Sequence, residues 1–150
     1  GLAKRRRFRR PLDLGCGSGI LGLAMAATWR RSVVAADIDP QSVAVARENA
    51  AINGLSGWLR VLCSNGVADW KLRKAGPYDL IVANILAGPL VALSQGLNAC
   101  PAPHGILILS GLLAQQENAV RNAYRRQGLS LWRRIPCEGW HTLILARRPL

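Results

Sequence analysis

Leu12-Asp-Leu-Gly-Cys-Gly-Ser-Gly19 is the stretch that decides the fold. A short apolar segment ends in an acidic residue, and a GxGxG turn then opens into Ile20-Leu-Gly-Leu-Ala-Met-Ala-Ala27, a good helix. This is a strand, a turn and a helix built so that backbone can approach a ligand closely, because glycine lacks the Cβ that would block it. A GxGxxG match also lies at Gly17-Ser-Gly-Ile-Leu-Gly22. On its own it would point weakly to a dinucleotide. Asp13 argues against that ligand, since a carboxylate beside the turn repels a pyrophosphate. It suits a ligand bearing positive charge. S-adenosylmethionine carries an ammonium and a sulfonium and has no phosphate.

A second carboxylate strengthens this reading. Ser32-Val-Val-Ala-Ala-Asp37 reads as a buried parallel strand ending in an acid, 22 residues after Gly15. Such folds place an acid on the ribose hydroxyls at a spacing of roughly 20 residues. Asp39 precedes Pro40 and a helical stretch, the signature of an N-cap with proline at the first helical position. Asp37 is therefore assigned to the ligand and Asp39 to the helix.

Working outward, the chain alternates. Strands are expected over 11–14, 33–37, 58–63, 78–83 and 105–110, and helices over 20–30, 41–52, 86–98 and 112–127. Segment 67–75 reads as an irregular loop or a short helix. The last two strands, 129–135 and 142–147, are expected to pair antiparallel around Glu138-Gly139. Alternating strands and helices imply an α/β fold, a mostly parallel sheet covered on both faces. No repeat, linker or low-complexity tract divides the chain.

In such sheets ligands lie at the carboxyl ends of the strands. Asp13, Asp37 and Asn84 fall at the ends of the first, second and fourth strands. Asn84 is the most reaction-relevant of the three. Its amide could orient a substrate amine or meet the ligand's methionine end, or it could cap the following helix. Asn65-Gly66 follows the third strand, where an adenine contact and an ordinary turn are both open readings. His104 reads as a surface turn and His141 as a lone histidine without metal partners. The five tryptophans read as core or rim fillers, with Trp140 a pocket-lining candidate.

Composition bounds the rest. One hundred and fifty residues suit one domain with a real core, and half of them are hydrophobic. No apolar run reaches the roughly 18 residues that span a bilayer, and the basic start does not resemble a signal peptide. The four cysteines, Cys16, Cys63, Cys100 and Cys137, are scattered without a CxxC pair. They read as reduced thiols of a cytoplasmic protein, with no metal site, and Cys16 as a filler between glycines. The net charge of +12 comes from 20 basic and eight acidic residues. It favours phosphate-bearing partners, although a merely solvated surface would look the same. The densest run, Lys4-Arg-Arg-Arg-Phe-Arg-Arg10, reads either as an RNA-binding leader or as an exposed linker before the first strand.

The segments LDLGCGSG, VVAADIDPQSVAVARENAAINGL, YDLIVANILAGPL, GILILSGLL and GWHTLIL together resemble the ribosomal protein L-eleven methyltransferases, the PrmA family. The likeness runs from about Arg10 to Arg147. It implies a Rossmann-like, seven-stranded fold that uses S-adenosylmethionine to methylate amino groups, mainly of lysine, on a large-subunit ribosomal protein. By resemblance, Gly15, Asp37 and Asn84 match the family's cofactor-binding positions, and Asp13 and Gly17 belong to the same glycine-rich motif. Asn84 is also the candidate catalytic residue. The family carries an additional amino-terminal substrate-gripping domain that has no counterpart in this sequence. Residues 1–150 are therefore expected to form the catalytic domain, with 1–10 as a basic leader giving weak contact with ribosomal RNA. Three rival readings follow from the same residues. An RNA methyltransferase of this fold would normally follow the fourth-strand Asn with prolines and a stacking aromatic, whereas Asn84 is followed by Ile85-Leu86. A nicotinamide oxidoreductase is disfavoured by Asp13. A non-catalytic ribosome- or RNA-binding module would need no intact glycine turn.

Overall fold

A computed structural model describes residues 7–97 and 101–147. Lys4, Arg5, Arg6 and Cys100, and the expected end of a helix at Asn98, lie outside the described residues.

Seven strands form one sheet: β1 (Pro11–Leu14), β2 (Val33–Asp37), β3 (Leu59–Cys63), β4 (Tyr78–Asn84), β5 (Pro101–Leu113), β6 (Leu129–Cys137) and β7 (Trp140–Arg147). Their order is β3-β2-β1-β4-β5-β7-β6. β1 to β5 run parallel, while β7 is antiparallel to both β5 and β6. Five α-helices among the described residues complete the fold: α1 (Ile20–Trp29), α2 (Pro40–Ile52), α3 (Trp70–Ala75), α4 (Ala87–Leu93) and α5 (Glu117–Arg125).

Strand alternation builds a core on each face. Leu12, Leu14, Ile81, Ala83, Leu107 and Leu109 point to one side and pack with Leu72 of α3, Leu90 of α4 and Val120 and Tyr124 of α5. Val33, Ala35, Leu80, Val82 and Ile106 point to the other and meet Met25 and Ala26 of α1 and Val43, Ala46 and Ala50 of α2. The central strands are thus buried on both faces, which is why they read as continuous apolar runs. Buried tyrosines still find partners: Tyr78 Oη donates to the Leu72 carbonyl at 2.9 Å, and Tyr124 Oη to the Leu90 carbonyl at 2.8 Å.

Three elements depart from the sequence reading. The helix expected over 112–127 starts only after a 3-10 turn at Ala114–Gln116, because Leu112 and Leu113 extend β5 and pair with His141 and Trp140. The helix expected over 86–98 is α4 alone, ending as Ser94 Oγ donates to the Val91 carbonyl at 2.7 Å. The basic stretch before β1 is, over its described part, no free leader. Phe8 is buried against Trp29, ring centroids 5.4 Å apart. The backbone N–H groups of Arg9 and Arg10 both donate to the Asp79 carboxylate, at 2.6 and 2.9 Å.

Candidate functional site

The order of the strands reverses between β1 and β4, and β1 leads to β2 on one side as β4 leads to β5 on the other. Chains leaving the carboxyl ends of the two strands diverge there and leave a crevice, the usual ligand site of open α/β sheets. A cavity of about 870 Å³ opens at that edge. Its walls come from the ends of four strands and the loops beyond them: Leu14 and Gly15, then Ala36, Asp37 and Ile38, then Ser64 to Ala68, then Ile85 and Leu86, with α4 closing one side. The size is that of a cofactor pocket, and the apolar walls with few polar groups are typical of one.

Gly15 starts the turn. Its φ is +70°, and a Cβ there would lie 2.6 Å from Ile85 Cγ2, so only glycine fits between the two strand ends. The N–H groups of Gly15 and Cys16 both donate to the Ala36 carbonyl, at 2.8 and 3.0 Å, which fixes the turn against β2. Asp37 lines the cavity at the end of β2. Its Oδ2 accepts from Gly17 N–H at 2.8 Å and its Oδ1 from Asp39 N–H at 3.0 Å. The carboxylate is therefore held in one orientation, and each oxygen keeps acceptor capacity for a diol. Asp39 is the N-cap of α2, accepting from Gln41 and Ser42 N–H at 3.0 and 3.2 Å.

Asp13, Gly17 and Asn84 are not among the cavity-lining residues, and each is placed for a physical reason. Asp13 points away from the cavity, under α1, where it is 1% exposed and its Oδ2 accepts from Gly22 N–H at 2.8 Å. Its work is to hold the helix start to β1. Gly17 contributes its N–H to Asp37 and so orients the residue that faces the cavity. Asn84 is exposed at the end of β4, next to the lining residues Ile85 and Leu86. It does not cap α4, whose N-cap is Leu86 without a side-chain hydrogen bond. The capping reading of Asn84 is thereby removed. Asn65 and Gly66 lie in a turn that lines the cavity. Trp140 is on the hairpin and does not line it.

Burial raises the Asp13 carboxyl from 3.8 to about 6, assisted by the nearby Asp37 charge and opposed by the Gly22 hydrogen bond. The folded-state value lies above the unfolded one. Asp13 therefore favours the fold fully below about pH 3.8, and that contribution is lost as pH rises through about 6. Asp13→Asn keeps an acceptor for Gly22 and cannot ionise. The stability difference between the two proteins should shift in favour of Asn by about 3 kcal/mol between pH 3.5 and 7, as chemical denaturation at the two pH values would record. A flat difference would place the carboxyl in water. Burial also pushes the Cys16 thiol up to about 12, so it is a protonated filler and not a nucleophile.

Two parts of this edge escaped the sequence reading. Gly111, in β5 beside Asn84, has φ +85°, and a Cβ there would lie 2.7 Å from the Ile85 carbonyl oxygen and 3.1 Å from Asn84 Oδ1. Its signal was the glycine inside the LSGLL segment. Glu117, at the start of α5, is 3% exposed and takes hydrogen bonds from Arg134 Nε at 2.7 Å and Arg121 Nη1 at 3.3 Å, and one from His141 Nδ1. The Arg134 bonds chiefly hold the Glu117 carboxyl below its ordinary range. His141 is thus a partner of α5, not a lone histidine. Among the described residues, no three His, Cys, Asp or Glu side chains converge as a metal site would require.

A sheet of seven strands with one antiparallel strand, β7, inserted beside β5, and a glycine turn facing an acid across the first crevice, is the Rossmann-like fold of S-adenosylmethionine-dependent methyltransferases. A family model described as ribosomal protein L11 methyltransferase (PrmA) matches residues 3–148. The chain belongs to that family. A ribosomal protein L11 methyltransferase of Rhodopseudomonas palustris is 46% identical over 139 residues, which is 93% of this chain and 47% of the relative. The crystal structure of a ribosomal protein L11 methylase from Lactobacillus delbrueckii subsp. bulgaricus superposes with a TM-score of 0.88 at 31% identity, covering 98% of this chain and 75% of that one. TrmN from Thermus thermophilus superposes with a TM-score of 0.79 at 28% identity, covering 97% of this chain and 46% of that one. The chain spans about half the length of the curated relatives it matches.

Proposed function

We propose that the chain is the catalytic part of an S-adenosylmethionine-dependent protein methyltransferase that acts on lysine amino groups of a large-subunit ribosomal protein. The observation that carries this is the cavity at the carboxyl ends of β1 to β4, with Gly15 at its floor and Asp37 at its edge. The cofactor supplies an electrophilic methyl on a sulfonium, open to in-line attack by nitrogen.

The residues present suit that ligand. Asp37, pinned by Gly17 and Asp39 N–H groups, offers both oxygens to the ribose diol. Ile38, Val67 and Ala68 offer an apolar slot for adenine, with Ser64 and Asn65 as polar partners. Gly15 lets the methionine end lie on backbone. Asn84 is assigned to the reacting end, orienting the incoming amine through its amide. A lysine must attack as the neutral amine, yet its ordinary pKa is about 10.4. Ile85 and Leu86 beside Asn84 would strip water from the ammonium and lower that value. Among the described residues, no aromatic side chain lines the cavity, so a nucleobase would find no stacking platform there. This favours an aliphatic amine over an RNA base.

Gly15→Ala should weaken cofactor binding at least tenfold. The added methyl must displace Ile85 into the cavity, and the left-handed backbone itself costs a non-glycine residue about 1–2 kcal/mol. Calorimetry with S-adenosylmethionine, beside a melting curve to separate folding from binding, checks this. Unchanged affinity would place the ligand elsewhere.

The test of the reaction is transfer of a radiolabelled methyl to purified ribosomal protein L11, followed by amino-acid analysis. Label in methyl-lysine supports the reading. Label in RNA added to the same mixture, with none in the protein, overturns it. The full-length Rhodopseudomonas relative should be faster than this chain, because remote binding energy that positions the amine raises turnover as well as affinity.

A further inference from the structure

A second concave surface lies outside the site just described. It is a groove of about 500 Å³ between the edge strand β3 and α3, and it is strongly basic. Arg60 projects from β3, Lys71 and Lys74 from α3, and Arg47 reaches over from α2. Among the described residues, no acidic side chain lines it. The nearest carboxylate in sequence, Asp69, is turned to the α3 N-terminus, where it accepts from Lys71 N–H at 2.9 Å. Of the four cations, Arg47 already donates to the Val61 carbonyl at 2.9 Å, which blunts the open edge of β3. Arg60, Lys71 and Lys74 are exposed.

The groove also carries an aromatic. Trp70 lines it and is 66% exposed, so a large apolar ring is left in water beside the lysines. Buried tryptophans stabilise a fold, whereas this one does little for it. A row of cations around a concave surface attracts phosphates, and an open indole gives a base a face to stack on. An acidic peptide would satisfy the cations and leave the ring unused.

We propose that the groove between β3 and α3 binds single-stranded RNA, with phosphates on Arg60, Lys71 and Lys74 and a base stacked on Trp70. Single-stranded nucleic acid is the chemistry the surface reads. The choice of RNA over DNA rests on the proposed ribosomal target, whose surroundings are RNA. The segment 64–69 joins the end of β3 to the start of α3, and residues 64–68 of it line the cofactor cavity. RNA held here would lie next to the reaction site without entering it.

The experiment is anisotropy titration of a fluorescein-labelled 12-nucleotide oligouridylate over a range of salt concentrations. The proteins are the wild type, Trp70→Ala, Lys71→Gln/Lys74→Gln, and Arg125→Gln/Arg126→Gln. The last removes the same charge toward the opposite edge of the sheet, at the C-terminal end of α5. Trp70→Ala should weaken binding about fivefold to 150-fold. Lys71→Gln/Lys74→Gln should reduce the slope of log affinity against log salt by about 1.4, two phosphate contacts on a single strand. The α5 pair should change the slope by less than half of that. Equal slopes for the two double variants would overturn the site and reduce the binding to net charge. Tighter binding of polyglutamate than of the oligouridylate would overturn the nucleic-acid reading in favour of an acidic protein. Tighter binding of oligodeoxythymidylate of equal length would overturn the choice of RNA. A parallel S-adenosylmethionine titration keeps the two proposals apart: RNA bound through Trp70 by a chain that takes no cofactor would sink the proposed function and leave this site standing.

Discussion

Asp37→Ala is expected to weaken S-adenosylmethionine binding by roughly 10- to 150-fold. Hydrogen bonds to a charged acceptor contribute about 1.5–3 kcal/mol, and every 1.4 kcal/mol is tenfold. The carboxylate has two duties that the substitution removes together. It would take the ribose hydroxyls, and it holds the Gly17 and Asp39 N–H groups that shape the cavity edge. Asp37→Asn disturbs both duties as well. It keeps one acceptor oxygen but turns an amide N–H₂ toward one of the backbone donors, so it should lie close to Ala in affinity. Asp39→Ala, two residues on, removes only the α2 cap. It should lower the melting temperature by a few degrees and leave binding near wild type. Calorimetry and melting curves on the three variants decide it. An exchange of effects between positions 37 and 39 would reverse the assignment.

The second large effect is on stability. Arg134→Ala should cost more than any other single change of a polar side chain in the hairpin of β6 and β7. The reason lies in its partner. Glu117 has a side chain only 4% exposed, while Arg134 and Arg121 are 45% and 40% exposed. Without Glu117 the two arginines turn to water. Without Arg134 the carboxylate cannot, and losing both bonds from that guanidinium, with Arg121 and His141 as its remaining partners, costs about 3 kcal/mol. For a chain of this size that lowers Tm by roughly 6–12 °C. Arg134→Ala/Glu117→Leu should recover part of the loss, because the stranded charge is gone. If the double variant melted lower than Arg134→Ala, the stabilisation would reside in Glu117 packing and not in the pair.

The cavity edge was legible in the sequence because its determinants are local. The strand bounds of β1 and β2 follow from short apolar runs that end in acids, and the Asp39 cap from Asp-Pro before a helical stretch. Asp13 was expected beside the ligand, whereas its carboxylate turns under α1 to Gly22. Alternation along a four-residue strand does not say which face meets the cavity, and Gly22, nine residues on, provided the answer. The parts that stayed hidden depend on distant partners. Phe8 looks like one apolar residue among arginines until Trp29 closes on it, and the arginine backbone is fixed by Asp79, some 70 positions away. His141 looked solitary because Glu117 is 24 residues upstream on another element. The true end of β5 was masked by Leu112-Leu113, which continues a helical apolar pattern yet pairs with β7. Gly111 allows this: its left-handed φ carries the strand past Asn84 where any side chain would strike the Ile85 carbonyl.

The most direct test of the account is a calorimetric titration of the chain with S-adenosylmethionine and, separately, with NAD. An acid-edged cavity built on a glycine turn should take the cationic ligand at one site per chain, and Asp37→Ala should weaken it by the factor given above. NAD, whose pyrophosphate would find the Gly15 and Cys16 N–H groups already given to the Ala36 carbonyl and the Gly17 N–H to Asp37, should show no saturable heat. Saturable binding of NAD with none of S-adenosylmethionine would contradict the account.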